Sequence, residues 1–397
     1  MKERFQMKKY QWGKNYIDKI FTEKYNGSSA GSAILWNMIN HHYISHQPWS
    51  ELSQKINNKV VYTPTNIQCA LILDICNQEL KRVYNIKYLS RNDIIYNIKS
   101  MLKDNINLRI YRKDIHHFYE SIDCEYLKKE IENNDKISFI SQKFILEFLS
   151  YCIDLKIGLP RGIALSSTLA EIFAFQIDNI ISNDKNVIFY SRYVDDIFIL
   201  CPYDNNLQLD VDRLLKPIGN IELKKEKAKN YELELQKGQF LSQPMKFTFL
   251  GYEFTIHDEK DPKKYRKVNL DLSPHKINRF KEKIKKSFLN YEKTRDFTLL
   301  KKRIIFLTHN YIMNKKLTKG QIKAGIYFSY PYANPEENGS LYNLDKFLQI
   351  CIYNSTLSKN QKKEVYKRTF THGFKNKTIL TYKYVEFMKI TTIWKNG

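Results

Sequence analysis

The spacing of apolar residues predicts interleaved helices and strands up to about residue 272, and mainly helices beyond it. Apolar residues three or four positions apart, as in Ile67, Leu71 and Ile75, indicate helices. Such segments are 65–82, 90–102, 123–132, 139–151, 165–181 and 210–215. Continuous or alternating apolar and β-branched residues predict strands at 108–115, 186–200, 221–223, 247–256 and 267–272.

After residue 272 the pattern changes to basic helices. Ser273 is a predicted N-cap and Pro274 a first helical residue, followed by Ile277, Phe280 and Ile284 at helical spacing. Further helices are predicted over 296–313, 341–353 and 359–370. Strands and helices are therefore predicted to interleave in the middle third of the chain, and basic helices to dominate its end.

The composition fits a chain with a packed core and a polyanionic partner. The chain has 397 residues, of which 43% are hydrophobic, enough for two or three structural units. Its net charge of +23 is uneven, because residues 262–397 hold 30 Lys and Arg against 9 Asp and Glu. Residues 1–261 hold 35 and 33. A charge of this size indicates nucleic acid or an anionic membrane as partner.

Several classes of protein are excluded by composition. No apolar run reaches the ~18–20 residues of a membrane span, and the first six residues lack the apolar core of a signal peptide. The cysteines are scattered, without a Cys-x-x-Cys pair, and we expect buried thiols in a reducing cytoplasm. They are Cys69, Cys76, Cys124, Cys152, Cys201 and Cys351. A secreted disulfide scaffold, a membrane protein and a coiled coil are therefore not expected.

Two adjacent aspartates interrupt the most strand-like window of the chain, residues 187–200. If the window were one strand, Asp195 and Asp196 would enter opposite faces, whereas in a hairpin both would lie at the turn. Neighbouring carboxylates repel each other, and a divalent cation such as Mg²⁺ relieves that repulsion. An ordinary surface turn between two strands is the alternative.

A third aspartate, Asp114, ends the strand predicted at 108–115. Two-metal phosphoryl transfer needs carboxylates from separate elements to hold ions about 3.5–4 Å apart, which Asp114 beside Asp195 would supply. A further segment, 158–171, forms a tight loop with Gly158 and Gly162 before a helix that begins with small residues. By itself this segment is equally an ordinary loop-to-helix junction.

Taken together, these segments resemble motifs A, B and C of a reverse transcriptase. Residues 114–122 are similar to motif A, 158–162 to the motif B loop and 193–196 to the Tyr-x-Asp-Asp box. Residues 223–228 resemble motif D, and Phe249, Leu250, Gly251 and Tyr252 resemble motif E, the primer grip. The resemblance covers roughly residues 90–255.

This resemblance implies an α+β fold of the right-hand polymerase type. It would contain a ferredoxin-like antiparallel palm, small fingers and a basic helical thumb. The corresponding domains are an N-terminal extension (1–61), fingers and palm (62–261) and a thumb with a C-terminal extension (262–397).

The resemblance also implies roles for individual residues. Catalysis would involve the three aspartates and Lys227, which would lie near the leaving pyrophosphate. Two Mg²⁺ ions would be bound by Asp114, Ile115, Asp195 and Asp196. Nucleotide-binding residues would be Arg91, Arg112, Phe118, Tyr119, Arg161 and Gly162.

Two of the nucleotide-binding residues carry specific expectations. Tyr119 lies five residues after Asp114, at the steric-gate position, where an aromatic ring favours dNTPs. Arg161 replaces the glutamine common in motif B. It could read a base, grip a phosphate or exclude some nucleotides.

The basic residues of the predicted thumb are candidates for nucleic-acid binding. Lys276, Arg279, Lys283 and Lys286 lie on the first predicted helix of this part. Gripping a duplex backbone explains their sign and placement, and affinity would then fall steeply with salt. A merely solvated helix face is the alternative.

Residues 112–122, 192–198 and 341–348 resemble bacterial defence-associated reverse transcriptases more than other reverse transcriptases. This resemblance implies a cytoplasmic, bacterial RNA-directed DNA polymerase that uses dNTPs, acts in antiphage defence and makes a DNA product. An RNA template or bound noncoding RNA is implied, and a protein partner or homo-oligomer is possible. The alternatives are an untemplated or protein-primed nucleotidyl transferase, an RNA polymerase, and a non-catalytic nucleic-acid-binding scaffold.

Overall fold

A computed structural model describes residues 14–25, 49–51, 60–87, 89–204, 208–219, 221–226, 230–259, 265–314 and 321–394. Its helices are α1 (Lys14–Tyr25), α2 (Ile67–Val83), α3 (Arg91–Leu102), α4 (Phe118–Ser121), α5 (Cys124–Glu132), α6 (Phe139–Asp154), α7 (Ala164–Ser182), α8 (Val211–Leu215), α9 (Pro274–Thr294), α10 (Phe297–Thr308), α11 (Ile326–Ser329), α12 (Ser340–Tyr353), α13 (Lys359–Tyr366), α14 (Phe370–Asn376) and α15 (Tyr384–Thr391). Its strands are β1 (Trp49–Glu51), β2 (Tyr62–Pro64), β3 (Leu108–Asp114), β4 (Phe189–Tyr193), β5 (Asp196–Pro202), β6 (Tyr231–Leu235), β7 (Met245–Phe249), β8 (Tyr252–His257), β9 (Lys267–Leu272), β10 (Asn310–Asn314), β11 (Gln321–Gly325) and β12 (Ile379–Tyr382).

The chain divides into two compact units. The first comprises Met1–Ser90 and Ile106–Gln236, and the second comprises Arg91–Asn105 and Lys237–Gly397. These units do not coincide with the predicted boundaries at 61/62 and 261/262, because α3 packs within the second unit. Its Asn92 side chain donates to the Phe328 carbonyl over 3.5 Å.

The first unit contains a four-stranded antiparallel sheet. Its strand order is β4-β5-β3-β6, and helices connect β3 to β4 and β5 to β6. This β-α-β-β-α-β connectivity is the ferredoxin-like arrangement that the resemblance implies. The α+β class is thereby confirmed for the described residues.

The apolar core of the first unit lies between one face of this sheet and the helices. Successive side chains of a strand point to opposite faces. Tyr111 on β3 and Ile197 and Ile199 on β5 belong to this core together with Leu149 of α6 and Phe173 of α7. The opposite face therefore holds the alternate residues of β3 and β5.

The strand window at 186–200 is a hairpin, β4 and β5, and not one strand. The short strand expected at 221–223 is reduced to one bridge, between Ile115 and Leu223. The fourth strand of the sheet is β6, which the hydrophobic pattern did not single out. Two glutamates of β6 form ion pairs with β3, Glu232 with Lys113 and Glu234 with Arg109. These positions of β6 are therefore charged and not apolar.

The second unit contains a three-stranded antiparallel sheet, β7-β8-β9, followed by helices. Ser273 caps α9 as predicted, since its side chain accepts from the Lys276 amide and Pro274 is the first helical residue. The helical core is built from Ile284, Leu300 and Leu344.

The predicted secondary structure differs from the structure at three places of the second unit. Residues 310–314 form β10 of a second sheet, ordered β11-β10-β12, because the Asn310 side chain binds the Gly373 carbonyl and the Tyr327 amide. The helix expected at 359–370 is two helices, α13 and α14. The single strand expected at 247–256 is the hairpin β7–β8, which turns at Leu250 and Gly251.

All six cysteines are free thiols, five of them buried and Cys351 partly so. Among the described residues, no helix combines the length and the apolar character needed to cross a membrane.

Candidate active site

The backbone places three aspartates, up to 82 positions apart in sequence, at one end of the sheet of the first unit. Asp114 ends β3 and Asp196 begins β5, and their Cα atoms are directly paired across the antiparallel ladder. Paired residues project from the same face of a sheet. Asp195 lies in the β4–β5 turn, where its carbonyl accepts from the Ile115 amide over 3.0 Å. The end of β3 is therefore tied to the turn that carries the Asp-Asp pair.

Two cations offset the charge of the paired carboxylates. Lys224 forms an ion pair with Asp114, which is only 2% exposed. The Arg112 Nη2 atom lies 3.2 Å from Asp196 Oδ1, on the same face of β3 as Asp114. Burial raises the pKa of Asp196, as do the charges of Asp114 and Asp195, against the lowering effect of Arg112.

The donor set fits Mg²⁺ in its chemistry, because carboxylate and backbone oxygens are the ligands that this ion takes. Within the described ranges, no three His, Cys, Asp or Glu side chains are gathered closely enough to hold a metal. Lys224 instead rests on the Asp114 carboxylate. Binding of an ion to Asp114 would therefore displace the Lys224 ammonium.

The turn before Asp196 is strained. Val194 has φ +59°, a left-handed conformation that is an outlier for a β-branched residue. Its carbonyl accepts from Arg192 Nη1 over 3.0 Å. Together with the bond from Ile115 to Asp195, this contact holds the turn in place.

Arg192 is itself fixed by two acids of α7. Its Nε atom donates to Asp178 Oδ1 over 2.8 Å and its Nη2 atom to Glu171 Oε2 over 2.7 Å. Its side chain is 6% exposed. Burial opposes its charge, but the hydrogen bonds that it donates to Asp178 and Glu171 outweigh burial and raise the pKa of Arg192. The guanidinium thus links the β4–β5 turn to α7.

The predicted motif B loop packs against the predicted steric gate. The Leu159 amide donates to the Tyr119 carbonyl over 2.8 Å. Gly158 has φ +62°, and a Cβ atom there would lie 2.5 Å from that same oxygen. The Tyr119 hydroxyl donates to Ser167 at the start of α7 over 3.3 Å.

Arg161 lies beside Tyr119 and binds the next residue. Its Nε and Nη2 atoms each donate over 2.8 Å to the two carboxylate oxygens of Glu120. Its guanidinium carbon lies 4.8 Å from the centre of the Tyr119 ring. The Arg161 carbonyl accepts from the Tyr62 amide over 2.7 Å, next to Gly162, whose φ is +95°.

The other predicted nucleotide residues are placed differently. Phe118 is buried in the core, with 1% of its surface exposed. Only its backbone could therefore contact a nucleotide. Arg91 lies in the second unit, 4.9 Å from the centre of the Tyr330 ring. Lys227 lies outside the described residues.

The predicted primer grip is the β7–β8 hairpin of the second unit. Phe249 and Tyr252 are buried, and the turn between them consists of Leu250 and Gly251, with φ +46° and +85°. The Gly251 carbonyl accepts from the Ser273 amide over 3.0 Å. Its role in gripping a primer stays a prediction.

The predicted nucleic-acid-binding residues Lys276, Arg279, Lys283 and Lys286 all lie on α9. Burial lowers the pKa of Lys283, and the charges of Arg279 and Lys276 lower it further. Positive charges therefore accumulate along one side of α9, where an anion would be favoured.

Sequence reasoning missed three residues of the site, namely Lys224, Glu120 and Arg192. Lys224 follows Leu223, which bridges to Ile115, and its amide donates to the Asp114 carbonyl over 2.8 Å. The expected strand at 221–223 held the signal, since pairing there places residue 224 beside Asp114. Glu120 directly follows Tyr119, and Arg192 lies three residues before Asp195.

Residues 60–254 match a family described as reverse transcriptase (RNA-dependent DNA polymerase). Among curated proteins, no match to the chain was found. The chain is similar to a solved structure of apo telomerase from Candida tropicalis truncated from its C-terminal domain, with 16% identity and a TM-score of 0.31. That match covers 46% of this chain and 42% of the telomerase chain.

Gly158→Ala should lower the free energy of unfolding more than Gly238→Ala. Both positions have positive φ, which costs an alanine about 1–2 kcal/mol, but a Cβ meets nothing within 4 Å at Gly238. Contact with the Tyr119 carbonyl at Gly158 should add about 1–3 kcal/mol. Urea unfolding of both variants measures the difference. Equal losses would show that the loop is not held against Tyr119.

Arg192→Met should lower the free energy of unfolding by about 3 kcal/mol, because it leaves two partly buried carboxylates without their cation. Arg109→Met is the matched control, since its partner Glu234 is 48% exposed and the pair should contribute at most about 1 kcal/mol. Urea titrations of the two variants give both values. A loss for Arg192→Met no larger than for Arg109→Met would contradict this role.

Proposed function

Because residues 60–254 form a reverse transcriptase (RNA-dependent DNA polymerase) domain, we propose that the protein extends a 3′-hydroxyl with dNTPs along an RNA template. The observation that carries this proposal is the direct pairing of Asp114 with Asp196, beside a turn that holds Asp195. This arrangement supports the carboxylate set that nucleotidyl transfer requires.

Asp114, Asp195, Asp196 and the Ile115 carbonyl would hold two Mg²⁺ ions. When bound, these ions would neutralise the attacking 3′-oxygen and the leaving pyrophosphate. The protein's own contribution is positioning, because β3 and the β4–β5 turn are fixed by the Ile115–Asp195 bond and by Arg192.

Lys224 and Lys227 are the candidate cations for the leaving group. Lys224 already contacts the Asp114 carboxylate. When it leaves that carboxylate, its ammonium would offer a positive charge or a proton to the pyrophosphate oxygens. Lys227 is three residues further along the same segment.

Selection of the sugar is assigned to Tyr119. Its ring follows Asp114 by five residues, and its hydroxyl and carbonyl are both held by hydrogen bonds. A fixed aromatic ring in the space of a ribose 2′-hydroxyl would exclude rNTPs. The substrate class would therefore be dNTPs and the product DNA.

The second unit would bind the nucleic acid duplex. Lys276, Arg279, Lys283 and Lys286 on α9 supply positive charge without a matching number of acids, since residues 262–397 carry a net +21. Contacts with phosphates release counterions, so binding should weaken as salt rises. We therefore assign the thumb of a right-hand polymerase to this basic part of the chain, and its fingers and palm to the part that precedes it.

We further propose a cytoplasmic, bacterial role in antiphage defence with a bound noncoding RNA. The support is the resemblance of residues 112–122, 192–198 and 341–348 to defence-associated reverse transcriptases. Sequencing the RNA and DNA that copurify with the protein tests it. One dominant RNA species would support it, whereas no specific RNA and unchanged phage sensitivity on loss of the protein would overturn it.

Replacing Asp195 and Asp196 together by Asn should reduce dNTP incorporation by at least about 10³-fold, because the carboxylate charge at the reacting phosphate is lost. Binding to a primer–template should keep its affinity and its salt dependence. Incorporation of labelled dNTPs and a filter-binding assay measure the two effects. Loss of both would favour a folding defect.

Asp212→Asn is the matched control, since this carboxylate is exposed on α8 of the same unit. It should leave both assays unchanged. Synthesis that survives in the double variant would refute the metal assignment. A wild-type protein that binds duplex but incorporates no nucleotide would favour the scaffold alternative.

Tyr119→Ala should raise the efficiency of rNTP use relative to dNTP use by about 10- to 100-fold, since the space for a 2′-hydroxyl opens. Competition between dNTPs and rNTPs, with and without template, measures it. It also separates a reverse transcriptase from an RNA polymerase and from an untemplated transferase. Unchanged sugar selectivity would remove Tyr119 from this role.

A further inference from the structure

We infer that Glu120 and Arg161 are a positioning pair that fixes the ring of Tyr119 and thereby sets the discrimination between dNTPs and rNTPs. This inference rests on the proposed function, in which Tyr119 is the steric gate. Neither residue needs to contact the nucleotide for the pair to act, because both act on the position of the ring.

The head group of Arg161 is held by two hydrogen bonds. Nε donates to Glu120 Oε1 and Nη2 to Glu120 Oε2, each over 2.8 Å. Such a bidentate fork fixes both the distance and the plane of the guanidinium. Burial opposes the charge of Arg161. The hydrogen bonds to Glu120 and the charge of Glu120 outweigh burial and raise the pKa of Arg161.

The backbone of Arg161 is held as well. Its carbonyl accepts from the Tyr62 amide of β2 over 2.7 Å. At the next position, Gly162, a Cβ atom would lie 2.4 Å from the Tyr62 carbonyl. The arginine is therefore anchored at both ends, which lets it impose a position on what it touches.

What it touches is the Tyr119 ring. The guanidinium carbon lies 4.8 Å from the ring centre, within the range of a cation–π contact. The Ser167 hydroxyl holds the ring's outer end and the Leu159 amide holds the backbone of Tyr119. Without Arg161, Tyr119 would keep the hydrogen bonds of its hydroxyl and its carbonyl, but the ring would lose the contact on its face.

The identity of residue 161 matters for this arrangement. A glutamine there could make neither the bidentate bond to Glu120 nor a charged contact with the ring. A lysine would keep the charge but not the planar fork. The acid that follows Tyr119 and the arginine at position 161 therefore form one functional unit.

The test compares the dNTP-to-rNTP ratio of kcat/KM in Glu120→Gln, Arg161→Gln and Arg161→Lys. The first two should lower the ratio by about fivefold or more, through faster rNTP use, and the third by less. Glu234→Gln is the matched control, because it breaks the ion pair with Arg109 at the other end of β3 and should leave the ratio unchanged.

A second measurement separates positioning from direct contact. In a Tyr119→Ala background, Arg161→Gln should cause no further change in the ratio, because the ring through which it acts is gone. An equal effect in both backgrounds would mean that Arg161 contacts the nucleotide itself, and the positioning role would be overturned. Thermal melting of each variant confirms that it is folded.

Failure of this inference differs from failure of the proposed function. A wild-type protein that incorporates no dNTP overturns both. If the wild type is active and Tyr119→Ala relaxes selectivity, while Glu120→Gln and Arg161→Gln keep the wild-type ratio, only the positioning pair is overturned.

Discussion

The candidate site depends on the confinement of like charges across β3 and β5. Asp114 and Asp196 are directly paired, and such a pair destabilises a sheet unless the charge is offset. Lys224 and Arg112 provide that offset within the described residues. Lys224 and Arg112 therefore occupy the carboxylates that metal ions would bind. Lys224 on Asp114 is the direct competitor of such an ion.

The strained turn follows from the same confinement. Asp195 and Asp196 reach the end of β3 only if β4 and β5 are joined by two residues, which forces Val194 to φ +59°. That strain costs about 1–3 kcal/mol. The Arg192–Val194 contact and its anchoring by Asp178 and Glu171 offset it. A turn held from α7 is rigid, and rigidity is what the preorganised charge of the proposed active site requires.

The sequence was sufficient to predict the features that local pattern determines. The Asp pair inside an apolar run predicted a hairpin or a strand, and the structure has the hairpin. The contacts of Glu120 and Arg192 could not be predicted, because an ion pair depends on register and distance in the folded chain. The same holds for β6, whose alternation of Glu with Tyr and Leu is explained only by Arg109 and Lys113 on β3.

The arginine at position 161 illustrates how a departure from a family pattern acquires a meaning from its neighbours. In the sequence it appears as a change in how the template or nucleotide is handled. In the structure, both of its fork nitrogens are occupied by Glu120, 41 positions away. To reach a base or a phosphate with that fork, Arg161 would first have to give up two charge-assisted hydrogen bonds, although solvent weakens them because the Glu120 side chain is 40% exposed. A role that keeps these bonds is therefore favoured over one that breaks them in every catalytic cycle.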